Sequence, residues 1–293
     1  MSKTKEDIFV QTIMPNIERK SVYVDYVQMH EGKPLFSWLE INPTELCNRL
    51  CTFCPRVEPD EYPNQNLNMS VDLAKKIANE LNELNYKGGV VFSGYGEPLL
   101  NPDILSIIKE FGDIYVEVIT NGDSLDEDKI TALFESGLNT IVVSLYDGEF
   151  QIDKFNKLFK AAGISEEKYI LRNRWFDEDV DYGVLLTNRS GKAKNGNQSE
   201  VDPMRACYYT HYQMMIDWNG DVMLCVQDWI KNVKFGNLFS NSLLDSWNSK
   251  ALSRYRRTLG KGFRKDEPCK SCNAIGTLHG TNHLKSWRGQ EHQ

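Results

Sequence analysis

From residue 36 to 187 the chain alternates short β-type runs with amphipathic helical stretches, and this alternation constrains the fold more than any other feature. The runs FSWLEIN (36–42), GVVFSG (89–94), IYVEVIT (114–120), TIVVSL (140–145), KYILRN (168–173) and YGVLLT (182–187) are apolar, rich in β-branched and aromatic residues, and short. Between them, SVDLAKKIANELNELNY starts at the N-cap candidate Ser70 and places Leu73, Ile77, Leu81 and Leu84 on one face. NPDILSIIKEFG carries Asn101 as cap, Pro102 in the first turn and Gly112 at the stop. Strict alternation requires crossover connections and therefore a parallel sheet, with active groups at the strands' C-terminal ends. Six units rather than eight predict an α/β fold, an open, partial (β/α)6 TIM-like barrel over residues 36–190, preceded by an N-terminal extension (1–35).

The pattern changes after residue 190. Residues 191–206 are rich in Gly, Asn, Ser and charge and read as a linker. YQMMIDWNGDVMLCV (212–226) is two β runs around Asn219-Gly220, a hairpin signal, followed by one helix through NSLLDSWNSKALSRYRRTLG (241–260). A small separate appendage is expected over 207–275, with a C-terminal tail at 276–293. The formal charge is −7 and the basic residues are dispersed apart from a cluster near Arg254 to Arg264, which argues against nucleic acid as a partner. No apolar run suits a signal peptide or a membrane span, so a cytoplasmic protein is expected. Seven cysteines in such a chain point to metal or catalysis, and an odd number excludes complete internal pairing.

Three cysteines, Cys47, Cys51 and Cys54, form C-x3-C-x2-C at the end of the first expected strand. Spacings of four and three also describe one face of a helix, so a buried stripe is one reading. Zinc is another, but it takes four ligands and the nearest histidines in sequence are His30 and His211. Three thiolates on an iron–sulfur cluster leave one iron open for a substrate or cofactor. The second set, Cys207, Cys225, Cys269 and Cys272, is C-x17-C-x43-C-x2-C and saturates either a tetrahedral zinc or a four-iron cluster; spacing alone does not choose.

CNRLCTFC, with Phe53 in the aromatic position, resembles the cluster-binding loop of the radical S-adenosylmethionine (SAM) superfamily. The resemblance implies a [4Fe-4S] cluster on Cys47, Cys51 and Cys54 whose open iron is chelated by SAM. SGYGEP (93–98) resembles the family's motif for the SAM amino group, carried by Gly94, Gly96, Glu97 and Pro98, with Tyr95 replacing the commoner glycine. Asn121 in TNG and Ser144, at the ends of the third and fourth strands, are implied near the SAM ribose or methionine moiety. IDWNGDVMLC, GNLFSNSLLDSW and CKSC resemble the SPASM/twitch appendage. Four cysteines fit its shorter twitch form with one auxiliary [4Fe-4S] cluster, as in enzymes of the 2-deoxy-scyllo-inosamine dehydrogenase type.

The family's chemistry implies a flavodoxin- or ferredoxin-type electron donor, reductive cleavage of SAM to a 5′-deoxyadenosyl radical, and hydrogen abstraction from a small polar substrate such as a sugar, aminosugar or cyclitol. All seven cysteines are used by the two clusters, so no thiol is left to return a hydrogen atom. Oxidation of a secondary alcohol to a ketone is therefore expected, its electron passing to the auxiliary cluster; a peptide-modifying maturase, a sugar epimerase or a lyase are the alternatives. Arg189 is similar in position to an arginine of the dehydrogenase type and is the candidate catalytic anchor. Arg172 and Arg174 are candidates for an anionic group such as the SAM carboxylate. A non-catalytic electron carrier with two metal centres would not need the Gly94 to Pro98 turn.

Overall fold

The computed structural model describes residues 14–174, 187–194, 201–202 and 204–290. Helix α1 (Met14–Val24) precedes a small hairpin of β1 (Met29–His30) and β2 (Lys33–Pro34), then β3 (Trp38–Ile41). Helix and strand now alternate: α2 (Val71–Glu83), β4 (Gly89–Phe92), α3 (Ile104–Lys109), β5 (Tyr115–Thr120), α4 (Glu127–Glu135), β6 (Thr140–Leu145), α5 (Phe150–Ala161) and β7 (Tyr169–Asn173). The C-terminal part comprises α6 (Tyr209–Tyr212), β8 (Gln213–Ile216), β9 (Asp221–Met223), β10 (Lys234–Asn237), α7 (Leu243–Trp247), α8 (Lys250–Gly260) and α9 (Thr281–Gln290). The sixth expected strand, 182–187, lies outside the described residues apart from Thr187.

The main sheet has the order β10-β9-β8-β3-β4-β5-β6-β7 and is parallel from β8 through β7. The C-terminal hairpin thus joins the sheet rather than standing apart: β8 lies parallel to β3, with Glu40 opposite Met215, and β9 and β10 continue antiparallel. Gly220 closes the hairpin with a positive φ of 81°, and β10 is a strand that periodicity did not reveal. The expected helix over 241–260 is two helices broken at Asn248–Ser249, where the Ser249 side chain accepts from the Leu252 amide and caps the second.

Alternation along the strands divides the core. Leu39, Ile41, Val90, Phe92, Val116, Val118, Ile141 and Val143 pack against Leu73, Ile77, Leu81, Ile107, Leu133, Phe155 and Phe159 of the helices. Glu40, Ser93, Glu117, Ser144 and Gln213 belong to the buried polar set of the same sheet. A buried polar lining needs partners, and α1 supplies some. Arg19 pairs with Glu117, and Lys20 Nζ donates to Gln213 Oε1 at 2.8 Å. Gln213 Nε2 and Ser93 Oγ each donate to the Glu40 carboxylate at 2.6 Å. The extension expected before residue 36 therefore includes a helix bound to the sheet. The segment expected as a tail contains α9, whose His283 is buried and 2.8 Å from Ser37 Oγ.

Ser70 caps α2 as expected, 3.2 Å from the Leu73 amide. Asn101 does not cap α3, which begins after Asp103. Its buried side chain instead donates to the carbonyls of Pro43 and Met69, tying the turn after β4 to the loop after β3.

Candidate active site

A cavity of about 230 Å³ collects Cys47, Cys51, Phe53 and Cys54 from the loop after β3, Gly94 to Glu97 after β4, Asn121 after β5, Ser144 of β6, Arg172 of β7, and Arg189. These residues stand 142 positions apart at the extremes of the chain's numbering, and the C-terminal ends of parallel strands bring them together. Pro98 is buried as the first residue of the 3-10 turn behind the motif and does not line the cavity. Neither does Arg174, whose amide donates to Leu145 O just past the end of β7.

The cysteine loop is fixed by polar contacts. Arg49 reaches two carboxylates, with Nε and Nη2 on Asp123 at 2.6 and 2.5 Å and Nη1 and Nη2 on Asp147 at 2.7 Å each. Asn48 donates to Asp123 at 2.8 Å and accepts from Asn121 Nδ2 at 2.7 Å. The loop is thereby fastened to the ends of β5 and β6. On its far side, buried Arg56 donates to Tyr95 O at 2.6 Å and to Glu45 at 3.1 Å.

The turn after β4 fits closely against this loop. Asn42 Oδ1 accepts the amides of Tyr95 and Gly96, and the Glu97 amide donates to Leu46 O at 2.7 Å. A Cβ at Gly96 would lie 2.2 Å from Thr44 O, and Gly94 adopts φ +131° with Asn42 filling the space beside it, so both positions require glycine. Glu97 Oε1 accepts from Thr120 Oγ1 at 2.6 Å and from the Leu99 amide at 3.2 Å; Oε2 accepts from the Asn121 amide at 2.8 Å. Burial nevertheless pushes its carboxyl up to about 7. Across the cavity, Arg172 Nη2 donates to Ser144 Oγ at 2.7 Å, its register partner, while Arg172 Nε is buried without a hydrogen-bond partner. An unsatisfied guanidinium donor beside the cavity suits an anionic group.

The second cysteine set lines a separate cavity, with Cys207, Cys225, Cys269 and Cys272 around it and Arg264 alongside. Two short segments separate the cavities. Arg189 lines the first and Ser190 the second; both have positive φ, 49° and 55°, strained values for residues with side chains. Asn188 holds this segment to the last cysteine pair, its amide donating to Asn273 Oδ1 and its Nδ2 to Ser271 O, both at 2.8 Å. The other segment follows β9: Cys225 and Gln227 face the second cavity, Val226 and Trp229 the first. Tyr95 joins the two sides, its hydroxyl directed at the carbonyls of Cys225 (3.3 Å) and Asp228 (3.0 Å).

Both cysteine sets suit iron–sulfur clusters. Burial and the neighbouring Cys54 and Cys47 thiols push Cys51 up to about 12, and burial raises Cys47, Cys207, Cys225 and Cys269 as well. Such crowded thiols become thiolates only beside concentrated positive charge, which cluster irons supply. The amide two residues on is directed at sulfur in four cases: Arg49 at Cys47, Tyr209 at Cys207, Gln227 at Cys225 (3.5 Å) and Ala274 at Cys272 (3.4 Å). Amide hydrogen bonds of this kind stabilise cluster thiolates. Among the described residues no three His, Cys, Asp or Glu side chains converge on a single ion.

A model of the radical SAM superfamily matches residues 41–171, and one of an iron–sulfur cluster-binding domain, SPASM, matches residues 207–273. The chain belongs to the radical SAM superfamily. Membership brings SAM, a [4Fe-4S] cluster and auxiliary iron–sulfur ligation. The S-adenosyl-L-methionine-dependent 2-deoxy-scyllo-inosamine dehydrogenase of Niallia circulans is 28% identical over 254 residues, 82% of this chain and 94% of the relative. The crystal structure of BtrN in complex with AdoMet and 2-DOIA shares the fold with a TM-score of 0.70 and 24% identity, covering 85% of this chain and 98% of that one. SuiB of Streptococcus suis, solved bound to its precursor peptide SuiA, has a TM-score of 0.55 and 17% identity over 89% of this chain and 74% of its own. Among the described residues no helix of this radical SAM protein is long and apolar enough to cross a membrane.

Several cavity residues were not singled out from the sequence. Arg49 lies inside the cysteine motif, but its two partners are 74 and 98 positions away. Tyr146, whose ring lies 5.6 Å from Phe53 and 5.4 Å from the Arg49 guanidinium, follows Ser144 by two residues, the one local signal available. Glu40 and Trp229 carry no motif signal.

Proposed function

We propose that this protein is a radical SAM dehydrogenase that oxidises a secondary alcohol of a small polar molecule, an aminocyclitol or aminosugar, to a ketone. The observation that carries this reading is the thin partition: consecutive residues Arg189 and Ser190 line the SAM-side cavity and the auxiliary cysteine cavity respectively. A substrate in the first cavity is then one short wall from an electron acceptor in the second. The named activity of the Niallia circulans relative, which aligns over most of both chains, supports the same substrate class.

When bound, SAM and the reduced first cluster supply a 5′-deoxyadenosyl radical that removes a hydrogen atom from carbon. The protein's residues orient and polarise. Cys47, Cys51 and Cys54 hold the first cluster, with Phe53 packed beside them; the main chain of Gly94 to Gly96 and the Glu97 carboxylate receive the SAM amino group. Glu97 accepts three hydrogen bonds, leaving room for one more. Asn121 and Ser144 face the ribose or methionine moiety, and Arg172, with its free Nε, takes the carboxylate. Arg189 has no carboxylate partner among the described salt bridges. Its guanidinium holds the substrate hydroxyl oxygen, favours loss of the hydroxyl proton and so eases departure of the second electron toward Cys225 and its partners. A flavodoxin- or ferredoxin-type donor supplies the initiating electron.

The test is anaerobic incubation of reconstituted protein with SAM, dithionite and a panel of aminocyclitols, including 2-deoxy-scyllo-inosamine, and aminosugars. One substrate should raise 5′-deoxyadenosine formation and yield equimolar ketone, and Arg189→Gln should lower the ketone yield while both clusters assemble. Activity on peptides alone would replace this reading with the maturase one.

A further inference from the structure

In a chain of formal charge −7, residues 248–265 contain seven basic residues and no acidic one. Two are buried and internally engaged. Arg256 donates to the carbonyls of Thr210 and Trp247, and Arg264 donates to those of Arg205, Ala206, Cys272 and Ala274. The other five, Lys250, Arg254, Arg257, Lys261 and Lys265, are exposed, and none forms a salt bridge among the described residues. Along one side of α8 runs a groove of about 480 Å³ lined by Arg254, Tyr255, Phe263 and Lys265, with Asp266 its single acidic residue. Half-buried Cys269 lines this groove and also the inner cavity it shares with Cys207, Cys225 and Cys272.

We propose that this groove docks a small acidic one-electron carrier protein, with Cys269 as the point where an electron leaves the auxiliary site. The inference rests on the dehydrogenase reading. Oxidation of the alcohol releases a hydrogen atom, then a proton and one electron; that electron returns the carrier from its oxidised to its one-electron-reduced form. Charge selects the partner. A protein that is acidic overall repels an acidic carrier, and an unpaired basic strip steers it to one face. Phe263, 38% exposed, and Tyr255 supply apolar contact beside the cations. Because the strip adjoins a cluster ligand, docking there places the carrier next to the electron.

The experiment measures binding of an oxidised flavodoxin to the reconstituted, substrate-free protein at increasing salt. Unmodified protein should bind with a steep salt dependence, and Arg254→Glu/Lys265→Glu should weaken binding at least about tenfold. A matched reversal on the barrel helices, Lys129→Glu/Lys157→Glu, should leave it unchanged. In a single turnover after reduction with dithionite and removal of its excess, the groove double variant should form normal product but pass its electron more slowly to added flavodoxin. Absence of binding, binding insensitive to the groove reversal, or self-association abolished by that reversal would each overturn the proposal, the last by assigning the face to a second copy. Binding is read without substrate, so failure of the dehydrogenase reading would leave that result distinct.

Discussion

Replacing Glu97 with glutamine separates the charge of this carboxylate from its size. Its oxygens accept from Thr120 Oγ1, the Leu99 amide and the Asn121 amide, and the residue is 3% exposed. A glutamine presents an NH₂ where one oxygen stood, so at least one buried donor faces another donor, at a cost of about 1–3 kcal/mol in stability. The substitution also removes the anion that receives the SAM amino group. A charge-assisted hydrogen bond contributes roughly 1.5–3 kcal/mol, so SAM should bind about tenfold to a hundredfold more weakly. Burial raises the Glu97 carboxyl to about 7, and SAM favours its ionised form. Affinity in the unmodified protein should therefore be level above about pH 7 and fall by up to about tenfold per unit below it. Stability of the SAM-free fold has the opposite sign, declining as pH rises from the ordinary glutamate range through about 7. Anaerobic equilibrium dialysis with labelled SAM across this range, with iron content as the control for intact clusters, measures the effect. An affinity independent of pH and unchanged by Glu97→Gln would place the amino group elsewhere.

Arg49→Gln should leave Asp123 and Asp147 without their shared partner and loosen the cysteine loop, so that iron retained after gel filtration falls toward about four per chain while the auxiliary cluster persists. Changing Cys47, Cys51 and Cys54 together to Ala should also leave about four irons, against about eight in the unmodified protein, and abolish SAM cleavage; tightly bound zinc with four irons in the unmodified protein would contradict the second cluster. Tyr95→Phe removes the hydroxyl donor to the Cys225 and Asp228 carbonyls. It should lower stability by about 1 kcal/mol in thermal unfolding and shift the auxiliary cluster's potential in an EPR redox titration, with SAM affinity retained.

The sequence revealed what is local. Parallel strands, their helices, the cysteine loop and the Gly94 to Glu97 turn all depend on residues a few positions apart, and their side chains meet because strand ends in a parallel sheet converge. What it concealed is long-range. The pairing of β8 with β3 joins residues about 175 positions apart, and nothing in QMMI distinguishes an edge hairpin from a strand added to the main sheet. Arg19 and Lys20 carry no local signal of burial, because their partners Glu117 and Gln213 belong to distant strands. Asn101 has the composition of a cap, yet its Oδ1 accepts the amide of Asp103, just ahead of α3, while its Nδ2 is held by carbonyls of two remote loops. The partition formed by Arg189 and Ser190 depends on left-handed backbone at two non-glycine residues, and their positions alone do not announce it.

In the proposed reaction the substrate radical loses an electron rather than regaining a hydrogen atom. Turnover in deuterated water, once a substrate is in hand, tests it by product mass. The expected product is two hydrogens lighter than the substrate, without solvent deuterium at the reacting carbon, with one SAM consumed for each ketone formed. A product isomeric with the substrate and carrying one solvent deuterium on carbon would contradict it.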